Sequence, residues 1–89
     1  MSYNYADQRP SLFTESGQVM FLAIRDNAKR LLSLAGAFTC GQVIRGCSGD
    51  SWQMLACVDR LVELGEIREA TDPAKVRGQD RVFVAVRHD

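Results

Sequence analysis

A basic excess is the first thing this sequence lacks: eleven lysines and arginines stand against eleven aspartates and glutamates, for a formal net charge of zero. That balance argues against a strongly electrostatic nucleic-acid or membrane binder, whose footprint is a basic surplus. Histidine is nearly absent, with His88 alone in the tail, and the three cysteines Cys40, Cys47 and Cys57 form no C-x-x-C pair. Such spacing supports a zinc site poorly, and neither a metal nor a cofactor is expected. Serines have no adjacent base, and no glycine-rich phosphate loop precedes a helix, so no catalytic residue is named and an enzyme is not expected. No apolar run approaches the roughly 18 residues of a membrane span. The opening MSYNYADQRP has neither the basic n-region nor the apolar h-region of a secretory signal. The expectation is a soluble, cytoplasmic protein. Repeats and low-complexity tracts are also missing, and 89 residues make one small domain with a marginal core.

What is present centres on residues 39–65. Thr39 and Gln42 have capping-box spacing, each side chain suited to satisfying a backbone N–H at a helix start. Gly46 ends a short helix, and Ser48, Gly49 and Asp50 supply turn chemistry. Asp50 and Gln53 repeat the capping-box spacing and open a second helix, along which Met54, Val58, Leu61 and Val62 line one buried face. Gly65 supplies the left-handed residue that commonly follows a helix.

The flanks are read as follows. Residues 1–13 carry no sustained period and read as a flexible N-terminal arm, followed by one domain over 14–87. Helices are predicted at about 16–35, 40–46 and 51–64. In the first, Met20, Ile24, Ala28, Leu31 and Ala35 form a buried stripe opposite Arg25, Asp26, Lys29 and Arg30. Ala37 and Phe38 are a short extended link, with Phe38 a core plug. Strands are predicted at about 66–71 and 81–87, joined by a loop that Asp72-Pro73 initiates and Gly78 bends. The alternation in the last strand is two-sided: Val82, Val84 and Val86 face the core, or Phe83 and Ala85 do.

Residues 46–73, GCSGDSWQMLACVDRLVELGEIREATDP, followed after a basic loop by RVFVAVR, resemble the winged helix-turn-helix family. Within it they are similar to bacterial regulators of the multiple-antibiotic-resistance and arsenic-repressor type. Arg60-Leu61, Gly65, Ile67 and Asp72-Pro73 stand where such regulators run from recognition helix to wing, and the resemblance covers roughly residues 17–87. It implies an α+β fold of three helices with a C-terminal two- to three-stranded β-wing, and a transcription regulator that binds double-stranded DNA. Helix 51–64 would enter the major groove. Carried over, the groove-facing positions are Ser51, Trp52, Gln53 and Ala56, with Arg60 near the backbone. The wing 72–81 would contact phosphates through Lys75, Arg77 and Arg81.

A second function competes. Residues 39–65 hold Arg45 and Arg60 against Asp50, Asp59 and Glu63, the wrong sign for a groove-binding element. Trp52, Leu55 and Ala56 make a small apolar patch suited to protein contact, unless Trp52 folds back into the core. A winged-helix interaction module, docking on a protein or forming a homodimer through Trp52/Leu55 or the N-terminal helix, is the alternative. The cysteines read as packed free thiols, with a Cys40–Cys47 bridge and a helix-activated Cys40 thiolate as the other readings.

Overall fold

Thr14 starts the longest element by accepting a hydrogen bond from the Gly17 N–H at 3.1 Å. This computed structural model describes residues 2–86 of the chain. From Thr14 the helix α2 (Glu15–Ala35) runs until Gly36, whose φ of 77° closes it in the left-handed region. Ile24 and Ala28 on its inner face are 0% and 2% exposed, and Met20, Phe21, Leu31 and Leu32 pack half-buried beside them. Ala35, placed on the same stripe by its spacing, is exposed at the helix end.

The predicted link at Ala37 is a strand, β1 (Ala37–Thr39), and it seats Phe38 in the core at 1% exposure. At its end Thr39 and Gln42 form both halves of the capping box. The short helix α3 (Cys40–Arg45) follows, then the turn, then α4 (Ser51–Glu63). Asp50 caps α4 by accepting from the Trp52 and Gln53 N–H groups at 2.8 and 3.1 Å. The reciprocal half of that predicted box does not form, because the Gln53 amide is engaged elsewhere.

Strands β2 (Ile67–Glu69) and β3 (Val82–Ala85) are shorter than their predicted spans and pair antiparallel. β1 pairs antiparallel with the other edge of β3, giving the order β1-β3-β2. Register sets Phe38 opposite Phe83, with ring centroids 5.7 Å apart. Phe83 is 0% exposed, whereas Val82 and Val84 are only half-buried and Ala85 is exposed, which settles the strand's inward face on Phe83. Each buried phenylalanine contributes roughly 1.5–3 kcal/mol relative to an exposed one. Arg87 and His88 lie outside the described residues. Among the described residues the architecture is α+β, and no helix is long and apolar enough to cross a membrane.

The segment expected to be a loose arm is folded. Asn4 caps a one-turn helix, α1 (Tyr5–Gln8), and a 3-10 turn over Arg9–Phe13 carries Leu12 into the core at 1% exposure. Gly17 makes this possible: a Cβ there would run into the Ser11 carbonyl oxygen and lie 2.8 Å from Leu12 Cα. Gln18 adds a hydrogen bond from its amide nitrogen to the Leu12 carbonyl at 2.8 Å. Aperiodic polar sequence concealed this docking, since it depends on one leucine and on partners far along the chain.

Candidate nucleic-acid interface

Two elements present the residues singled out in the sequence: the first turn of α4 and the loop between β2 and β3. The loop is held by Asp72, whose carboxylate accepts from the Ala74 N–H at 2.9 Å and whose carbonyl accepts from Lys75 and Val76 at 3.0 and 2.9 Å. Half-buried Val76 then leaves Lys75 and Arg77 exposed on either side of it, and neither makes an ion pair among the described residues. Ser51 is exposed at the start of α4, and Trp52 is half-buried against the core.

The remaining predicted contacts are not free. Ala56 is 0% exposed and Leu55 8%, so the groove position at Ala56 and the apolar patch of Trp52, Leu55 and Ala56 do not form on the surface. Positions 54–58, more than one full turn, are all buried, because the N-terminal segment covers the side of α4 that would otherwise face water. Gln53 donates to the Ser11 carbonyl at 3.3 Å. Arg60 pairs with Glu63, and its guanidinium lies 5.2 Å from the Phe13 ring centre, with Arg9 at 5.0 Å from the same ring. Tyr3 donates to Asp59 at 2.6 Å, Tyr5 to Glu63 at 3.2 Å, and Arg9 pairs with Glu63 at 3.1 Å.

Arg81 is likewise turned inward. Its Nη2 reaches Asp59 at 2.8 Å and Glu69 at 2.9 Å, and it stacks 5.1 Å over the Phe83 ring. Burial alone would lower its pKa, but the hydrogen bonds to Asp59 and Glu69 outweigh that and raise it above the ordinary arginine value. The same bonds, with one from Thr71, hold the Glu69 carboxyl below its ordinary value against a burial effect of opposite sign. At Glu63 the hydrogen bond from Arg60 leads the lowering, aided by Arg9. Burial, then the bond to Asp59, pushes the Tyr3 phenol up.

Pairing within the fold changes the charge balance read from residues 39–65. Asp59 shares Arg81 with Glu69, and Glu63 is paired with both Arg60 and Arg9. Neither acid stands as an unopposed negative charge on α4, which leaves the exposed capping carboxylate of Asp50 at its start, while Arg77 lines the same cleft as Leu55 of α4. A cleft of about 460 Å³ separates the loop from the helix, walled by Tyr3, Leu55, Pro73, Val76 and Arg77.

Cys40, Cys47 and Cys57 are all free thiols, so the bridge considered between Cys40 and Cys47 is not made. Cys40 is not activated by its place at a helix start: burial pushes its thiol up to about 12, and Cys57 likewise to about 12. Among the described residues no group of three or more His, Cys, Asp or Glu side chains gathers in a way that would hold a metal ion. The sequence missed the Asp59–Arg81–Glu69 clamp and the Arg9–Phe13–Arg60 stack, since the only available signals were isolated charges 10–50 residues apart. Compared with protein-family models, with curated proteins and with solved structures, the chain matches none of them.

Proposed function

We propose that this chain is a winged helix-turn-helix regulator that binds double-stranded DNA. What carries the reading is the α3–turn–α4 unit followed by a β2–β3 hairpin whose loop bears two unpaired cations, Lys75 and Arg77. The order β1-β3-β2, with β1 lying between the first long helix and the helix pair, is the arrangement expected of a winged helix. In this reading the first turn of α4, Ser51 and Trp52, meets base edges and sugar, and Lys75 and Arg77 hold phosphates. Gln53, Ala56, Arg60 and Arg81 drop out as contacts, being engaged within the chain. Internal pairing of Asp59 and Glu63 reduces the repulsion that a polyanion would otherwise meet on α4, leaving the capping carboxylate of Asp50 as the acid beside the first turn.

The test is titration with mixed-sequence duplex at low and moderate salt, read by backbone amide shifts. Shifts should gather at Ser51–Trp52 and Lys75–Arg77. Replacing both Lys75 and Arg77 with alanine should weaken binding to all sequences and reduce the slope of log K against log salt by about 2. Absence of any duplex binding at low salt would end this reading.

A further inference from the structure

One face of α2 is exposed, and apart from Val19, 67% exposed near the helix start, six of its positions are matched about Ala28. Two residues either way stand Asp26 and Arg30, five either way Ala23 and Ser33, six either way Leu22 and Leu34. Ala28 itself is 2% exposed and faces the core, so the opposite side of the helix is what solvent sees. At 3.6 residues per turn all six positions flank the direction opposite Ala28. All six are exposed, with Leu22 at 48% and Leu34 at 72%. Leu22, Asp26, Arg30 and Leu34 form one continuous i, i+4 row.

Two large exposed leucines at equal distances from a central acid–base pair are what a helix needs to meet its own copy in the opposite direction. We propose that this face is a homodimer interface in which α2 pairs antiparallel with α2 of a second copy, around a two-fold axis at the level of Ala28. Asp26 of each copy then meets Arg30 of the other, and Leu22 meets Leu34, each contact occurring twice as a closed isologous interface requires. Ala23 and Ser33 are small and let the two helices approach. Arg30 is held by its neighbour Asn27. Its Nε and Nη2 donate to Asn27 Oδ1 at 3.2 and 2.7 Å, and Asn27 is in turn fixed to the Val43 carbonyl at 2.7 Å. Three of the five guanidinium N–H groups are left for an incoming carboxylate. Asp26 makes no ion pair among the described residues. The charge order excludes a parallel pairing in register, which would set like charges side by side.

A single helix row buries less than the ~800 Å² per partner of a standard interface, so weak association is expected, on the order of tens to hundreds of micromolar. The experiment is sedimentation equilibrium of the full chain from about 10 µM to 1 mM, with circular dichroism to verify helix content. The wild-type mass should approach twice the monomer mass as concentration rises. Asp26→Arg and Arg30→Asp should each weaken self-association at least tenfold, since each places like charges across the axis twice. An equimolar mixture of these two variants should dimerise again, and so should the chain carrying both substitutions. A wild-type chain still monomeric at 1 mM, single variants that associate like wild type, or a mixture that stays monomeric would each overturn the proposal. None of these outcomes depends on DNA binding.

Discussion

Replacing Arg81 with alanine separates two roles for that side chain, phosphate contact and internal clamp. Its guanidinium lies 2.8 Å from Asp59 and 2.9 Å from Glu69, and the three side chains are only 14–16% exposed. Truncation would leave two carboxylates facing each other with no cation and little water. Breaking a buried pair costs ~3–5 kcal/mol, and each hydrogen bond to a charged group ~1.5–3 kcal/mol. Residual exposure lets water reach both acids, so the lower end applies: a loss of about 3 kcal/mol. A chain of this size has a total stability of ~4–13 kcal/mol, so the change is a quarter of it or more. Urea unfolding followed by circular dichroism should show a lower midpoint at unchanged slope. Arg60→Ala is the control, because the Arg60–Glu63 pair is more open at 23% and 36% exposure. Its loss should stay below about 1 kcal/mol. A second readout is Glu69, whose lowered pKa contributes stability above its ordinary 4.5 that is lost as pH falls. Without Arg81 that acid-side loss should disappear. An Arg81→Ala variant no less stable than Arg60→Ala would refute the clamp and return Arg81 to the candidate phosphate contacts.

Two further outcomes follow from packing and burial. Gly17→Ala forces a Cβ against the Ser11–Leu12 backbone, so it should cost about 1–3 kcal/mol and speed amide exchange in residues 5–13 before the rest of the chain; uniform exchange would contradict the docking described. Burial raises the Cys40 and Cys57 thiols from 9.0 to about 12, so their contribution is present below pH 9 and lost as pH climbs toward 12. Stability should fall above pH 9 by a slope approaching about 1.4 kcal/mol per pH unit for each thiol, and the Cys40→Ala, Cys57→Ala double variant should keep only the shallower loss that the raised Tyr3 and Tyr5 phenols, ordinarily 10.0, impose between pH 9 and 10. A wild-type chain no steeper than that variant there would show that these thiols are not held neutral by the fold.

Local signals carried most of the architecture. Thr39 with Gln42 placed the start of α3 to the residue, and Gly36 and Gly65, both at φ 77°, marked the ends of the long helices. These features depend on side chains within four residues of the backbone they cap, so the sequence displays them directly. Strand phase did not follow in the same way. Val82, Phe83 and Val84 are all apolar, and only pairing with Phe38 across the sheet selects Phe83 for the core.

The candidate interface was less legible, because charge counting along a chain ignores where counter-charges come from. Asp59 and Glu63 look like unopposed acids within residues 39–65. Their neutralising partners are Arg81, twenty-two residues onward, and Arg9, fifty-four residues back. The same folding that removes the acids also removes positive charges, since Arg9, Arg60 and Arg81 are all spent in pairing with them. What remains for a polyanion is set by the cations left without partners rather than by the net charge. Among the described residues, the cations of the β2–β3 loop without ion pairs are Lys75 and Arg77, and the exposed carboxylates of Asp72 and Asp80 on the same loop are equally without ion pairs. In the proposed DNA reading, two phosphate contacts per chain would give weak binding with a shallow salt dependence, a log–log slope of about −2. In the proposed dimer, four such cations would be tethered in one assembly, so pairing through the exposed Leu22–Asp26–Arg30–Leu34 row would strengthen DNA binding through effective concentration.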